Sequence, residues 1–144
     1  MSAAKLYSPE VLGLAVELAG YPELADAALS GHSRSPACGS TLAMQLELDP
    51  QGRIVRLGMR LRACAIGQAA AAIFAAAAPG KSRDDVATAL AEIESWLAGG
   101  ADDLPQWPRL GLIEAARGFP GRQGAMLLPW KAALSALSNA PVPG

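Results

Sequence analysis

The chain has 144 residues, and its 12 basic and 13 acidic side chains give a formal net charge of −1. This length predicts a single domain, 1–144, and no basic groove points to a nucleic-acid partner. The longest apolar run, 69–78, is too short to span a bilayer, and we find no secretory signal. We therefore expect a cytoplasmic protein with no membrane partner.

The N-terminal third predicts a helix followed by irregular chain. The sequence Ser-Pro-Glu at 8–10 is a helix start, since serine caps a helix and proline is favoured at its first position. We predict a helix from there to about Ala19, and a short helix or turn over 22–31. Residues 32–36 are polar and predict a loop that contains His32, the only histidine. The predicted core face of the first helix consists of Leu12, Ala15, Val16 and Ala19.

The middle of the chain predicts a β-hairpin. Residues 41–48 alternate between apolar and polar side chains, as a half-buried strand does. Asp-Pro-Gln-Gly at 49–52 is a turn sequence, and 54–62 alternates again, with arginines on its outer face. That basic stripe is either a solvated sheet face or a docking surface for an acidic partner.

Both cysteines flank this hairpin, Cys38 before it and Cys64 after it. Antiparallel strands place the two outer ends side by side, so we expect both thiols at one edge of the sheet. Cysteine pairs in a reducing compartment are more often metal-binding or reactive than structural, although an apolar context also suits a packed cysteine. An alanine-rich helix should follow Cys64, and a helix N-terminus favours a thiolate there.

The C-terminal half predicts three more helices. The first of these helices begins with Ser-Arg-Asp-Asp at 82–85 and continues to Leu97. A loop is predicted over 101–108. A short helix over 110–116 is broken at 118–121. The last helix is predicted over 125–138, with Pro129 in its first turns.

At these residues the chain resembles the U-type iron–sulfur scaffold family, which comprises the NifU N-terminal domain, IscU and SufU. Four segments carry the resemblance: Pro-Ala-Cys-Gly at 36–39, Cys-Ala-Ile-Gly at 64–67, Gly-Lys-Ser at 80–82, and Phe-Pro-Gly-Arg at 119–122 with the later Trp-Lys. The resemblance implies a SufE/NifU-like α+β fold. We expect a small antiparallel sheet of two to three strands, with helices mainly on one face.

The chain departs from the family at its ligand positions. The family has a carboxylate directly after the first Cys-Gly, where this chain has Ser40. A third cysteine of the family falls on Ala125, and the histidine that precedes it in some members falls on Gly124. Cys38 and Cys64 remain as the predicted thiolate ligands or sulfur acceptors, with His32, Ser40 and Arg122 as secondary candidates.

The resemblance implies a non-enzymatic role in iron–sulfur cluster assembly, with a cysteine desulfurase and cluster-recipient proteins as partners. A transient [2Fe–2S] cluster usually needs about four thiolates. Two copies of the chain paired as a homodimer could supply them, and glutathione or a partner's thiols could do the same. Iron alone is a second candidate, and the ligand set for zinc is incomplete.

Two alternatives to cluster binding stay open. In the first, the chain is a metal-free sulfur acceptor or regulatory partner of a desulfurase, with Cys64 favoured as the acceptor. In the second, the fold serves protein interaction, and both cysteines are packing residues or form a reversible disulfide.

Overall fold

The structure is a computed structural model that describes residues 7–27 and 29–139. Its three-stranded antiparallel sheet has the order β1-β2-β3 and carries helices on one face. The predicted α+β fold is therefore confirmed. In chain order the elements are α1 Pro9–Glu17, β1 Leu29–Arg34, β2 Thr41–Leu48, β3 Ile54–Arg62, α2 Ala65–Ala77, α3 Arg83–Leu97 and α4 Pro120–Leu137, with 3₁₀ turns at Leu18–Gly20 and Leu110–Gly118.

Helix α1 begins where the Ser-Pro-Glu signal predicts it, since the Ser8 hydroxyl accepts a hydrogen bond of 3.2 Å from the Val11 N–H. The predicted core face of this helix is wrong. Leu12 and Val16 are 53% and 75% exposed, whereas Val11 and Leu14 are buried. Both sets of apolar residues have helical spacing, so the hydrophobic pattern alone does not distinguish them.

Strand β1 occupies part of the chain for which the sequence predicts a turn or short helix over 22–31 and a loop over 32–36. Both predictions are wrong over Leu29–Arg34, which pairs antiparallel with β2 along its whole length. The predicted turn is present at 25–26, and 35–36 belong to a loop. The sequence of β1, Leu-Ser-Gly-His-Ser-Arg, has too few apolar side chains to show a period of two. The strand owes its position to tertiary contacts that local sequence does not reveal.

Those contacts come from α4. A Cβ atom on Gly31 would collide with the backbone of Ala132 and Ala136, so only glycine allows the strand to approach the helix this closely. The Ser33 hydroxyl donates a hydrogen bond of 2.7 Å to the Leu128 carbonyl. Strand β1 is therefore fixed to the helix as well as to the sheet.

The predicted hairpin forms from β2 and β3, with one irregularity. Leu42, Met44 and Leu46 lie on the inner face of the sheet, towards the helices. A register shift between Glu47 and Leu48 changes the alternation at the start of β3. As a result Ile54 is buried and Val55 is 51% exposed, the reverse of the predicted pattern. Bulges of this kind insert a residue and reverse the direction of the side chains that follow.

The outer face of the sheet, opposite to the helices, is crossed by residues 21–27. The Met59 N–H donates to the Tyr21 carbonyl at 3.0 Å, beyond the edge of β3. The Leu24 N–H then donates to the Gln45 side chain at 3.2 Å, over the middle strand. Gly58 is required beneath this crossing, because a Cβ there would collide with the segment's backbone.

Helix α2 forms the centre of the helical layer, and its buried alanines allow the other helices to approach closely. Phe74 of this helix contacts Trp107 and Trp130, with ring centroids 5.3 and 5.5 Å apart. The Trp107 indole N–H donates to the Ile73 carbonyl at 3.0 Å. Among the described residues, no helix has the length and apolarity that crossing a membrane requires.

Helix α3 begins at the predicted serine, with a complete capping box between Ser82 and Asp85. Helix α4 begins at Pro120, five residues before its predicted start, so Pro129 lies in the helix interior and not in its first turns. Two glycines near its start weaken helix propensity, and packing against β1 and α2 overrides that weakness. Arg122 consequently belongs to the first turn of α4.

Gly31→Ala is expected to lower the free energy of unfolding by about 1–3 kcal/mol or more, because the added Cβ overpacks the contact between β1 and α4. Gly13→Ala is the matched control, since Gly13 lies in a helix with open space around it. That change should raise stability by about 0.5–1 kcal/mol. Urea unfolding followed by circular dichroism measures both, and an equal effect of the two changes would contradict the close contact.

Candidate functional site

The two cysteines lie at the same edge of the sheet, as the hairpin predicts. Cys38 belongs to the loop that joins β1 to β2. The Ser35 N–H donates to the Ser40 carbonyl and the Gly39 N–H donates to the Ser35 carbonyl, both at 2.8 Å, and these bonds close the loop. Gly39 has a φ of +72°, which favours glycine. Cys64 follows β3 and is the N-cap residue of α2.

Ser40 connects the two cysteines. Its Oγ lies 3.0 Å from Cys38 Sγ, and it accepts a hydrogen bond of 3.4 Å from the Cys64 N–H. Because the oxygen already accepts from that N–H, its own proton is free to point at the sulfur. The side chain is only 4% exposed, so water competes weakly for this geometry. Ser40 thereby links the N-terminal end of α2 to the Cys38 sulfur.

A second hydroxyl completes the surroundings of Cys38. Ser35 Oγ lies 3.4 Å from Cys38 Sγ, and its residue is 1% exposed. Burial alone raises the pKa of the Cys38 thiol. Hydrogen bonds from both hydroxyls and from the Ser40 backbone, with the positive charge of Arg122, outweigh burial and lower that pKa to about 7. A thiol with this pKa is about half ionised at neutral pH.

Arg122 lies in the first turn of α4 and interacts electrostatically with both thiols. Its hydrogen bond with Tyr7 is the main cause of its raised pKa, and the negative charges that Cys64 and Cys38 carry when ionised raise it further. The guanidinium therefore lies within electrostatic reach of both sulfur atoms. The Arg122 guanidinium can therefore stabilise a thiolate at either cysteine.

The structure does not bring His32 to this site. His32 lies in β1 opposite Ala43 of β2 and is exposed. Directly opposed residues share a face of the sheet, and Ala43 lies on the outer face, between Leu42 and Met44 on the inner one. Cys38 packs against the core on the inner side. The sequence distance of six residues suggested a proximity that the strand direction prevents.

The residues of one chain do not fit a resident metal ion. Within 7–27 and 29–139, no group of three or more His, Cys, Asp or Glu side chains could hold one. Ala125, at the position of the family's third cysteine, is fully buried. A Cβ on Gly124 would lie 2.5 Å from Ser35 Oγ, so the Ser35 hydroxyl fills the space that a side chain at 124 would need.

Solved structures with the same architecture identify the fold. The N-terminal part of a NifU-like nitrogen-fixation protein from Brucella abortus superposes with a TM-score of 0.82 at 22% identity, over 94% of each chain. The protein assigned as an iron–sulfur cluster assembly scaffold for the SUF system of Fervidobacterium islandicum AW-1 gives 0.80 at 20% identity, over 94% of this chain and 99% of that one. This chain has the U-type scaffold fold. No family model and no curated protein matches the sequence.

The U-type scaffold fold accounts for the pairing of the thiols, and the particular residues here account for their chemistry. Sequence reasoning singled out Ser40 and Arg122 and missed Ser35 and Tyr7. Ser35 directly follows a strand that the pattern did not reveal, so nothing marked it as facing Cys38. Tyr7 immediately precedes the cap of α1, and no local pattern indicates that it interacts with Arg122, which is far away in the sequence.

Ser40→Ala is expected to raise the pKa of Cys38 above 7, because it removes a hydrogen-bond donor to the thiolate. Below that pKa the thiolate fraction falls about tenfold for each unit. Alkylation by iodoacetamide at pH 7 should therefore slow several-fold, and the rates of the two proteins should converge at alkaline pH. Mass spectrometry of the Cys38 peptide measures the rate at each pH.

Ser30→Ala, an exposed serine of β1, is the control and should leave the profile unchanged. An unaltered profile in Ser40→Ala would show that Ser40 does not stabilise the thiolate.

Proposed function

We propose that this chain accepts sulfur from a cysteine desulfurase during iron–sulfur cluster assembly, with Cys38 as the acceptor thiol. The observation that carries the proposal is the pair of buried hydroxyls, Ser35 and Ser40, at 3.4 and 3.0 Å from Cys38 Sγ. They stabilise a thiolate, and the thiolate is the nucleophile in exchange at sulfur. The proposed role in iron–sulfur cluster assembly rests on the U-type scaffold fold that the chain shares with the solved structures.

The transfer is a substitution at sulfur without net oxidation. The Cys38 thiolate attacks the terminal sulfur of the desulfurase persulfide, and the new bond joins Cys38 Sγ to that sulfur. The sulfur–sulfur bond of the donor breaks, and the donor leaves as a thiolate with the electron pair. The proton of the terminal sulfur remains on it, so charge and atoms balance. The chain is a carrier in this step and not an enzyme.

Serine at position 40 supports this role over a metal-binding one. A carboxylate there would accept a hydrogen bond from the Cys64 N–H but would repel a neighbouring thiolate. The Ser40 hydroxyl accepts from the same N–H and, lying 3.0 Å from Cys38 Sγ, donates to that sulfur once the thiol is ionised. The side chain that departs from the family pattern is therefore the one that favours a nucleophile.

Arg122 and Cys64 have secondary parts in the proposal. The Arg122 guanidinium, within electrostatic reach of both sulfurs, balances the negative charge of the attacking thiolate and of the persulfide formed. Sequence reasoning favoured Cys64 as the acceptor because it begins a helix. The structure supports Cys38 instead, since the two hydroxyls converge on its sulfur. We place the reaction in the cytoplasm, where thiols remain reduced.

A second candidate is that two chains hold a [2Fe–2S] cluster between them as cargo. The shared edge of Cys38 and Cys64 favours it, since two such edges would supply four thiolates. The same pairing would make the homodimer dependent on the cluster. A cluster recipient would then be the next partner.

Cys38→Ser is expected to abolish persulfide loading by a cysteine desulfurase supplied with cysteine, because the nucleophile is lost. Cys64→Ser should keep loading, with a rate reduced several-fold at most. Mass spectrometry after alkylation reports the sulfur added to each cysteine. Loading that persists in Cys38→Ser and disappears in Cys64→Ser would assign the acceptor to Cys64.

Anaerobic reconstitution with iron and sulfide separates the two candidates. A sulfur carrier should show no stable visible chromophore and should remain monomeric on gel filtration. A bridged cluster would give about half a cluster for each chain, lost in both Cys38→Ala and Cys64→Ala. That outcome would contradict the sulfur-carrier proposal and favour the dimeric scaffold.

A further inference from the structure

Basic side chains form the end of the outer sheet face that adjoins the thiols. The antiparallel register aligns two rows of opposed residues there, and opposed residues share a face. The last row is Arg34, Thr41 and Arg62, and the row before it is His32, Ala43 and Arg60. We call Arg34, Arg60, Arg62 and His32 the basic platform.

The charges of the basic platform are only partly balanced within the described residues. Arg56, further along β3, pairs with Glu47 at 2.8 Å and is outside the platform. Arg60 lies 3.9 Å from Glu23, an exposed and therefore weak pair. Arg34 and Arg62 are exposed and make no ion pair with any described residue. Two guanidinium groups thus remain available in the row nearest the thiols.

Among the described residues, Arg34 and Arg62 are also exposed and lie beyond the part of the outer face that residues 21–27 cover. Residues 21–27 cover the sheet around Gly58 and Gln45, further from the thiols. Arg34 ends β1 just before the loop of Cys38, and Arg62 ends β3 two residues before Cys64. The platform and the thiols therefore lie at the same end of the sheet, where one partner surface can contact both.

We propose that the basic platform is the docking surface for an acidic segment of the protein that delivers sulfur to Cys38. The inference rests on the proposed function and adds the chemistry of the partner. The two outer strands are about 10 Å apart and the rows about 7 Å, so the charges are spread over a flat area. Such a spread matches several carboxylates on a protein surface better than one small anion, and complementary charge accelerates encounter.

The test uses thiol exchange with two synthetic peptides and needs no desulfurase. Each peptide has one cysteine in a mixed disulfide with thionitrobenzoate, flanked by glutamates in one peptide and by serines in the other. The protein thiolate attacks the peptide sulfur, and thionitrobenzoate leaves with the electron pair and is measured by its absorbance. At low ionic strength the acidic peptide should react about tenfold faster than the serine peptide, and added salt should reduce the difference.

The double variant Arg34→Ser/Arg62→Ser should lose this preference. Arg83→Ser should keep it; Arg83 is an exposed arginine at the start of α3 that makes no ion pair within 7–27 and 29–139. Neutral iodoacetamide should react equally with all three proteins, which shows that the thiol site is intact.

Equal rates of the two peptides with the unaltered protein would contradict the proposal that the basic platform is a docking surface. So would a preference that survives in Arg34→Ser/Arg62→Ser and disappears in Arg122→Ser, because the attraction would then come from the site itself. Failure of a desulfurase to load Cys38 would refute the proposed function and leave the result of this exchange assay unaffected.

Discussion

The close approach of β1 to α4 is the constraint on which the site depends. Gly31 lets the strand approach the helix backbone closely. Two residues later, the Ser33 hydroxyl donates a hydrogen bond to the Leu128 carbonyl of the same helix. This contact fixes the start of α4, and with it Arg122, relative to the loop that carries Cys38. Strand β1, which has the weakest hydrophobic pattern of the three strands, thus determines the position of the Arg122 guanidinium.

The departures from the family's ligand pattern form a connected set in three dimensions. Ser40 stands at the carboxylate position of the family pattern, and its hydroxyl can donate a hydrogen bond to the Cys38 thiolate, which an ionised carboxylate cannot do. Gly124 has no side chain, and the Ser35 hydroxyl occupies the space beside it, within reach of Cys38. Ala125 is buried behind them. Hydroxyl groups therefore surround the Cys38 sulfur at and beside the positions where the resemblance implies metal ligands.

The parts of this fold with strong local signals could be predicted from the sequence. The hairpin and the thiol edge follow from a period of two and a turn sequence, and α3 follows from its capping box. Strand β1 and the early start of α4 could not be predicted, because glycine weakens both locally and tertiary contacts stabilise them. Those contacts join β1 to β2 and α4, and α4 to β1 and α2. The same dependence hid Ser35, whose partner Cys38 is near in sequence but faces it only once β1 exists.

The tryptophans give the molecule an internal optical reporter. All three, Trp96, Trp107 and Trp130, are buried, and the last two contact Phe74 on α2. Phe74 is ten residues along the chain from Cys64, about 15 Å along the helix axis. Intrinsic fluorescence therefore reports the packing of the helical layer at a distance from the sulfur atoms. A change in emission on sulfur loading would show that chemistry at the thiol edge alters this packing.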